Sequence, residues 1–223
     1  MDTPKMLVMV GFKEPVWTGL GPVQTGAIMS TSQGEFRSRY AGGQISLINF
    51  SPVDIAGFGA LKQKLVGRAL DEAIRRATAC SGLIAVEHEV LPYAQNRLTL
   101  SDRKDTLGLN KPAVYYDVGD YVRKGAELHT FPITKRFAEA LGAEKIIRIP
   151  GFVQSEHIMG GTIMGNDPKD SVVDAECRAH DHPNLFLPGG SAMPSGASGN
   201  STLTMAALAV KSADAIVGQM KSG

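Results

Sequence analysis

The chain has 223 residues, 43% of them hydrophobic, with 23 Lys and Arg against 22 Asp and Glu. Such a length and apolar content suffice for a real core, and the near-neutral charge excludes a protein built on a basic nucleic-acid face; the pairs Arg75-Arg76 and Arg103-Lys104 read as solvated positions. Cys80 and Cys177 make neither a disulfide framework nor a CxxC pair and are expected to be free and partly buried, and the apolar run Met6 to Phe12 is too short for a membrane span and carries no cleavage pattern, so neither an intrinsic membrane segment nor a signal peptide is expected in this chain.

In chain order, Ser46 to Phe50 reads as a strand. From Gly59 to Cys80, Leu61, Leu65, Val66, Ala69, Leu70, Ala73, Ile74 and Ala77 fall on one helical face, and Gly82 is placed to end that helix. Leu83 to Val90, Arg97 to Leu100 and Val114 to Val118 read as strands between turn residues; Ile133 to Leu141 reads as a short helix stopped by Gly142, and Lys145 to Ile149 as another strand. Leu185 to Pro188 reads as a short buried strand. After it the glycines at 189, 190, 196 and 199 let the backbone take positive φ and pass close to a flat ligand. A helix follows from Ser201 to Met220, with Ser201 or Thr202 as N-cap and Leu203, Ala206, Ala207, Val210, Ala213, Val217 and Met220 at helical spacing. The pattern is α+β, without internal repeats or low-complexity segments.

The residues that carry chemistry gather late in the chain. His157 stands in HIMGGT, ahead of the glycine-rich turn, Asn200 and the helix start, and neutral imidazole is the side chain best suited to accept a proton near neutral pH. The free amides of a helix N-terminus favour an acceptor that carries negative charge, as a reduced flavin ring does. His88 and His129 read as surface or packing residues. Cys177, His180 and His182, with Asp174 nearby, have a spacing that matches no recurring zinc pattern, so no metal is expected and the segment reads as a turn. Gly19 to Gly26 has the wrong spacing, and the wrong flanks, for a dinucleotide-binding turn.

The stretches HIMGGTIMG, DSVVD, HDHPNLFLPGGSAMP and GNSTLTMAALAVKSADAI resemble the C-terminal region of the glucose-methanol-choline (GMC) flavoprotein oxidoreductases, above all the large subunits of bacterial gluconate, glucose, sorbitol and fructose dehydrogenases. Upstream, EPVWTGLGPVQTG, GEFRSRYAGG and NRLTLSDRKDTLGLNKPAVYYDVGDYVRKG resemble the same subunits. The resemblance implies FAD as cofactor, and a substrate hydroxyl of a sugar, sugar acid or polyol. It casts His157 as general base and Asn200 as the residue that orients the hydroxyl by hydrogen bonding. Gly189, Gly190 and Ser191 are matched to the turn beside the flavin, and Ser201 and Thr202 to its pyrimidine edge. It divides the chain into residues 1–182, an antiparallel-sheet substrate region with flanking helices, and 183–223, the last strand and helix of a doubly wound FAD-binding domain.

The same resemblance suggests a small subunit and a cytochrome c subunit as partners, at the periplasmic face of the inner membrane. Family members also have an N-terminal strand, GxGxxG turn and helix for the ADP half of FAD, which this chain lacks. Met1-Asp2-Thr3-Pro4 resembles the interior of a family motif with Thr3 in place of its histidine, so the chain is expected to be a fragment. The alternative to an enzyme is a non-catalytic remnant, or one piece of a split enzyme, without bound FAD.

Overall fold

The computed structural model describes residues 2–49 and 63–222, which group into two compact units. One unit, residues 4–49, 63–88 and 122–153, is built on a five-stranded antiparallel sheet. Its strands are β1 (Lys5–Gly11), β2 (Gln24–Ile28), β3 (Gly43–Ile48), β4 (Ser81–His88) and β7 (Lys145–Arg148), in the order β2-β3-β4-β1-β7. Met6, Val8 and Val10 of β1 are buried at alternate positions, as one face of a pleated strand requires, and they meet Ile45, Ile84, Val86, Ala126 and Ala138 in the core. Strand β4, near the middle of the sheet, is buried on both faces.

Helix α1 (Gly67–Cys80) precedes β4, with Leu70, Ala73, Ile74 and Ala77 partly buried and Arg68–Glu72 and Asp71–Arg75 ion pairs along its exposed side. A second helical run consists of α2 (Gly119–Gly125), a π turn (Ala126–Thr130) and α3 (Phe131–Ala140), with Pro132 at the first turn of α3. Phe131, Ile133 and Phe137 pack on the sheet. His88 is fully buried, with Nε2 2.8 Å from Thr130 Oγ1 and its ring edge-on to Phe152. His129 packs on Phe36, with ring centroids 4.0 Å apart, and its Nε2 lies 3.1 Å from Thr31 O.

The other unit comprises residues 2–3, 89–121 and 154–222. It contains the hairpin of β5 (Arg97–Lys104) and β6 (Asn110–Tyr115), a long looped segment, and helix α4 (Thr202–Ser222). The inner side of α4 holds Met205, Leu208 and buried Ser212. Ser212 Oγ donates to Glu176 O at 2.8 Å, and Leu208 packs with Met164, Val173, Cys177, Leu187 and Ala192. The outer side is apolar as well and lies open, with Leu203 83%, Val210 64%, Val217 48% and Met220 78% exposed. Among the described residues no helix is long and apolar enough to cross a membrane.

The mixed helix and antiparallel-sheet architecture agrees with the α+β reading, and several local expectations are corrected. Helix α1 begins at Gly67, so Leu65 and Val66 precede it, and residues 59–62 of the expected helix lie outside the described residues, as does Phe50. The helix passes straight into β4 at Ser81, and Gly82 is a strand residue whose missing side chain leaves room for Val10. Strand β6 starts four residues earlier than expected. Asp105 Oδ1 accepts from the backbone N–H of Leu107 and of Leu109, and that turn sets the pairing Arg97↔Tyr115. The segment from Leu185 to Pro188 is no strand: it makes the isolated bridge Arg178↔Phe186 and scattered backbone hydrogen bonds, Leu187 N to Cys177 O, Ala179 N to Leu185 O and the local turn bond Leu185 N to His182 O. Its edge finds no continuous partner among the described residues.

Candidate active site

The segment that carries His157 lies against the glycine turn. Gly160 N donates to Gly190 O at 2.9 Å, Thr162 N to Ser191 O at 3.0 Å and Met164 N to Ala192 O at 2.9 Å, so residues 160–164 run beside 190–192 joined by three hydrogen bonds. Gly189 has φ +106 and open space where a Cβ would stand, whereas a Cβ on Gly190 would lie 3.0 Å from Ile158 O and from Met205 Cε. The turn thus turns one glycine outward and packs the other against the residue after His157. Residues 190–192 form a single 3-10 turn.

The start of α4 is joined to the same segment. Ser201 is buried, its carbonyl accepts from Met205 N, and its hydroxyl lies 3.8 Å from Met159 Sδ. Asn200 is exposed and Thr202, the first helical residue, is exposed as well. Gly189, Gly190, Ser191, Ser201 and the residues just after His157 are therefore gathered in one neighbourhood, with Asn200 at its edge next to Ser201.

His157 itself is partly buried, and its Nδ1 is buried with no hydrogen-bond partner among the described residues. The backbone supports it from two sides. His157 N–H donates to Asp2 Oδ1 at 2.9 Å, and the residue before it, Glu156, takes φ +63, a conformation that non-glycine residues seldom adopt. Asp2 also reaches Ser155 Oγ at 3.1 Å, and its carbonyl accepts from Tyr116 Oη. Burial, helped by the charges of Asp2 and Asp117, pushes the Tyr116 hydroxyl up to about 12. Sequence reasoning gave Asp2 no role: a carboxylate that acts through a backbone amide 155 residues away leaves no local signal.

The Cys177 region is a turn in the structure. Asp174 Oδ1 accepts from Glu176 N and Arg178 N, and its Oδ2 pairs with Arg178. Burial raises Asp174, but these hydrogen bonds and the guanidinium together hold it below the usual carboxylate range. Cys177 is buried with Val173 and Ala192, and His180 Nε2 lies 2.9 Å from Ser171 Oγ. No cluster of three His, Cys, Asp or Glu converges as metal ligands among the described residues. Around Gly19 to Gly26, Asn49 bridges Gly19 N, Leu20 O and Pro22 O, and the segment ends in strand β2.

The residues fit a flavin in two respects: the glycine turn offers an open face at Gly189, and the first amides of a 21-residue helix begin beside it. Comparison with known proteins points the same way. The GMC oxidoreductase family model matches residues 92–209. The chain is 48% identical over 224 residues to the fructose dehydrogenase large subunit of Gluconobacter japonicus, which covers 100% of this chain and 41% of that protein. It is 49% identical over 63 residues to the gluconate 2-dehydrogenase flavoprotein of Pantoea cypripedii, covering 28% of this chain and 10% of that one. To the 2-methyl-1,2-propanediol dehydrogenase of Mycolicibacterium austroafricanum it is 36% identical over 137 residues, 57% of this chain and 24% of that protein. Pyridoxine 4-oxidase from Mesorbium loti superposes with a TM-score of 0.52 at 16% identity, over 96% of this chain and 43% of that one, a likeness of fold alone. The chain spans at most about two-fifths of these curated relatives, and it belongs to the GMC oxidoreductases.

Proposed function

We propose that this chain is the C-terminal part of an FAD-dependent oxidoreductase that oxidises a CH–OH group of a sugar, sugar acid or polyol. The observation that supports the reading is the pairing of residues 160–164, which follow His157, with the glycine turn at 190–192, where a Cβ on Gly190 would lie 3.0 Å from the carbonyl of Ile158. The names of the relatives, fructose, gluconate and propanediol dehydrogenases, support the substrate class. Residues 183–223 would belong to the FAD-binding domain and 1–182 to the substrate region, with a small subunit and a cytochrome c subunit as partners of the whole protein.

Under this reading Gly189, Gly190 and Ser191, with the backbone of Ser201 and Thr202, would hold the flavin. When bound, FAD supplies the two-electron acceptor for the hydride lost by the alcohol carbon. His157 takes the proton of the substrate hydroxyl, a task for which an imidazole is matched near neutral pH. Asn200 hydrogen-bonds the same hydroxyl without titrating, and so leaves proton transfer to His157 alone.

A second reading is favoured by the open apolar side of α4: the polypeptide acts only as one piece of a larger assembly and holds no flavin by itself. An absorption spectrum of the purified chain, with and without added FAD, separates the two. Flavin bands that remain with the protein after gel filtration support the first, and a colourless protein the second. In flavin-loaded protein His157→Ala is expected to lower the rate of flavin reduction by about 10²–10⁴-fold and Asn200→Ala less. An unchanged rate in His157→Ala refutes the assigned base.

A further inference from the structure

We propose that Asp2 is a positioning residue for His157, whose carboxylate holds the turn that aims the imidazole; the inference rests on the reading of His157 as the base. Asp2 Oδ1 accepts from His157 N–H at 2.9 Å and lies 3.1 Å from Ser155 Oγ, so a single carboxylate oxygen brackets Glu156 from both sides. Glu156 is the residue with φ +63. A left-handed residue with a side chain persists only where its surroundings fix it, and such residues collect where geometry serves a function. The bridge between Asp2 and Ile158 continues the same hold on the far side of His157.

The ring makes this hold necessary. A histidine that moves protons is ordinarily oriented by a hydrogen bond on its second nitrogen. Here Nδ1 is buried and has no partner among the described residues, so the direction of the ring is left to the backbone that carries it. Hydrogen bonds to an ionised carboxylate are shorter and stronger than neutral ones, which suits Asp2 to the task. Asp2 is anchored in turn, since Tyr116 Oη donates to its carbonyl; Ser155 Oγ is also within reach of Thr3 O, and its one proton serves either acceptor.

The test uses the full chain, ¹⁵N-labelled, as wild type, Asp2→Ala and Asp2→Asn. Hydrogen exchange of the His157 amide is read against that of Val8 in the sheet. Asp2→Ala should speed exchange at His157 on the order of tenfold or more with Val8 unchanged, while Asp2→Asn, which keeps an acceptor oxygen, should stay much nearer to wild type. Unchanged exchange at His157 in Asp2→Ala overturns the proposal. If Asp2→Ala does not fold, Tyr116→Phe takes its place: it frees the Asp2 carbonyl, and a rise confined to residues 155–158 supports the bracket, whereas no rise overturns it. In flavin-loaded protein Asp2→Ala should lower kcat with KM near wild type, and Asp2→Asn should restore most of the loss; equal kcat in all three overturns a positioning role. If the wild type reduces no flavin with any sugar, or His157→Ala reduces it equally fast, the functional reading falls and the exchange measurement alone decides the role of Asp2.

Discussion

Helix α4 presents apolar side chains on two opposite sides, and only one of them is covered. Leu203, Val210, Val217 and Met220, between 48% and 83% exposed, form the open side. At about 2 kcal/mol per fully buried aliphatic side chain, covering these four contributes on the order of 4–6 kcal/mol. A symmetric pair of chains gains roughly twice that and loses about 4–15 kcal/mol in freedom of motion, so self-association through this face alone is expected to be weak, in the micromolar range or above. Sedimentation velocity over a concentration series should show the wild-type chain passing from monomer to oligomer, and the double substitution Leu203→Glu/Val210→Glu should shift that transition to higher concentration by at least tenfold. A wild-type chain that stays a monodisperse monomer with a sharp cooperative melt refutes the reasoning. So does a variant that associates as readily as the wild type, because the contact then lies elsewhere.

Gly190→Ala should lower the melting temperature by about 2–12 °C, since its Cβ would press on the Ile158 carbonyl and overpacking costs about 1–3 kcal/mol; a melt equal to wild type refutes the close approach. Gly189→Ala meets no atoms but must hold φ +106, so it should cost about 1–2 kcal/mol and also weaken flavin retention, a pairing that a plain loop glycine would not show. Burial pushes the Tyr116 hydroxyl up to about 12, against about 10 in the unfolded chain, so the folded state holds more protons between pH 10 and 12. Its contribution is fully present below pH 10 and is lost as pH rises through 12. With the hydroxyl only half-buried, that loss should be about 1–2 kcal/mol, seen as a steeper alkaline fall in denaturant midpoint for wild type than for Tyr116→Phe. Equal slopes would show that Tyr116 does not carry it.

Helical periodicity and turn chemistry made much of this fold readable. Helix α4 was expected from Ser201 and begins at Thr202, and the strand expected from Lys145 appears as β7, because each is marked by a local signal, the helical spacing of α4 and the helix stop at Gly142 ahead of β7. Strand β1 was not read from the sequence. Its run Met6 to Phe12 was weighed only as a membrane segment, and its strand character depends on β4 and β7, more than 70 residues away. Leu185 to Pro188 misled in the opposite direction, since four apolar residues suggest a strand but a strand also needs an edge to pair with. The glycine turn and the helix start were legible as backbone features because glycine and capping residues declare backbone geometry directly. The bracket at Asp2 was not, because its meaning lies in a fold that brings residues 2 and 157 together.

The π turn at Ala126–Thr130 has a consequence for the length of the chain. A wide turn of this kind takes up one residue more than an α-helical turn, so the faces of α2 and α3 keep the alignment of a shorter, regular helix. Elsewhere in a helix, adding or removing one residue rotates everything beyond it by about 100°. Within residues 126–130 the loss of a single residue can be absorbed by reverting to the regular winding, with Ile133 and Phe137 still directed at the sheet. Related chains that differ by one residue in this region can therefore share the same core, so long as the buried Ala126 and Thr130 keep their places.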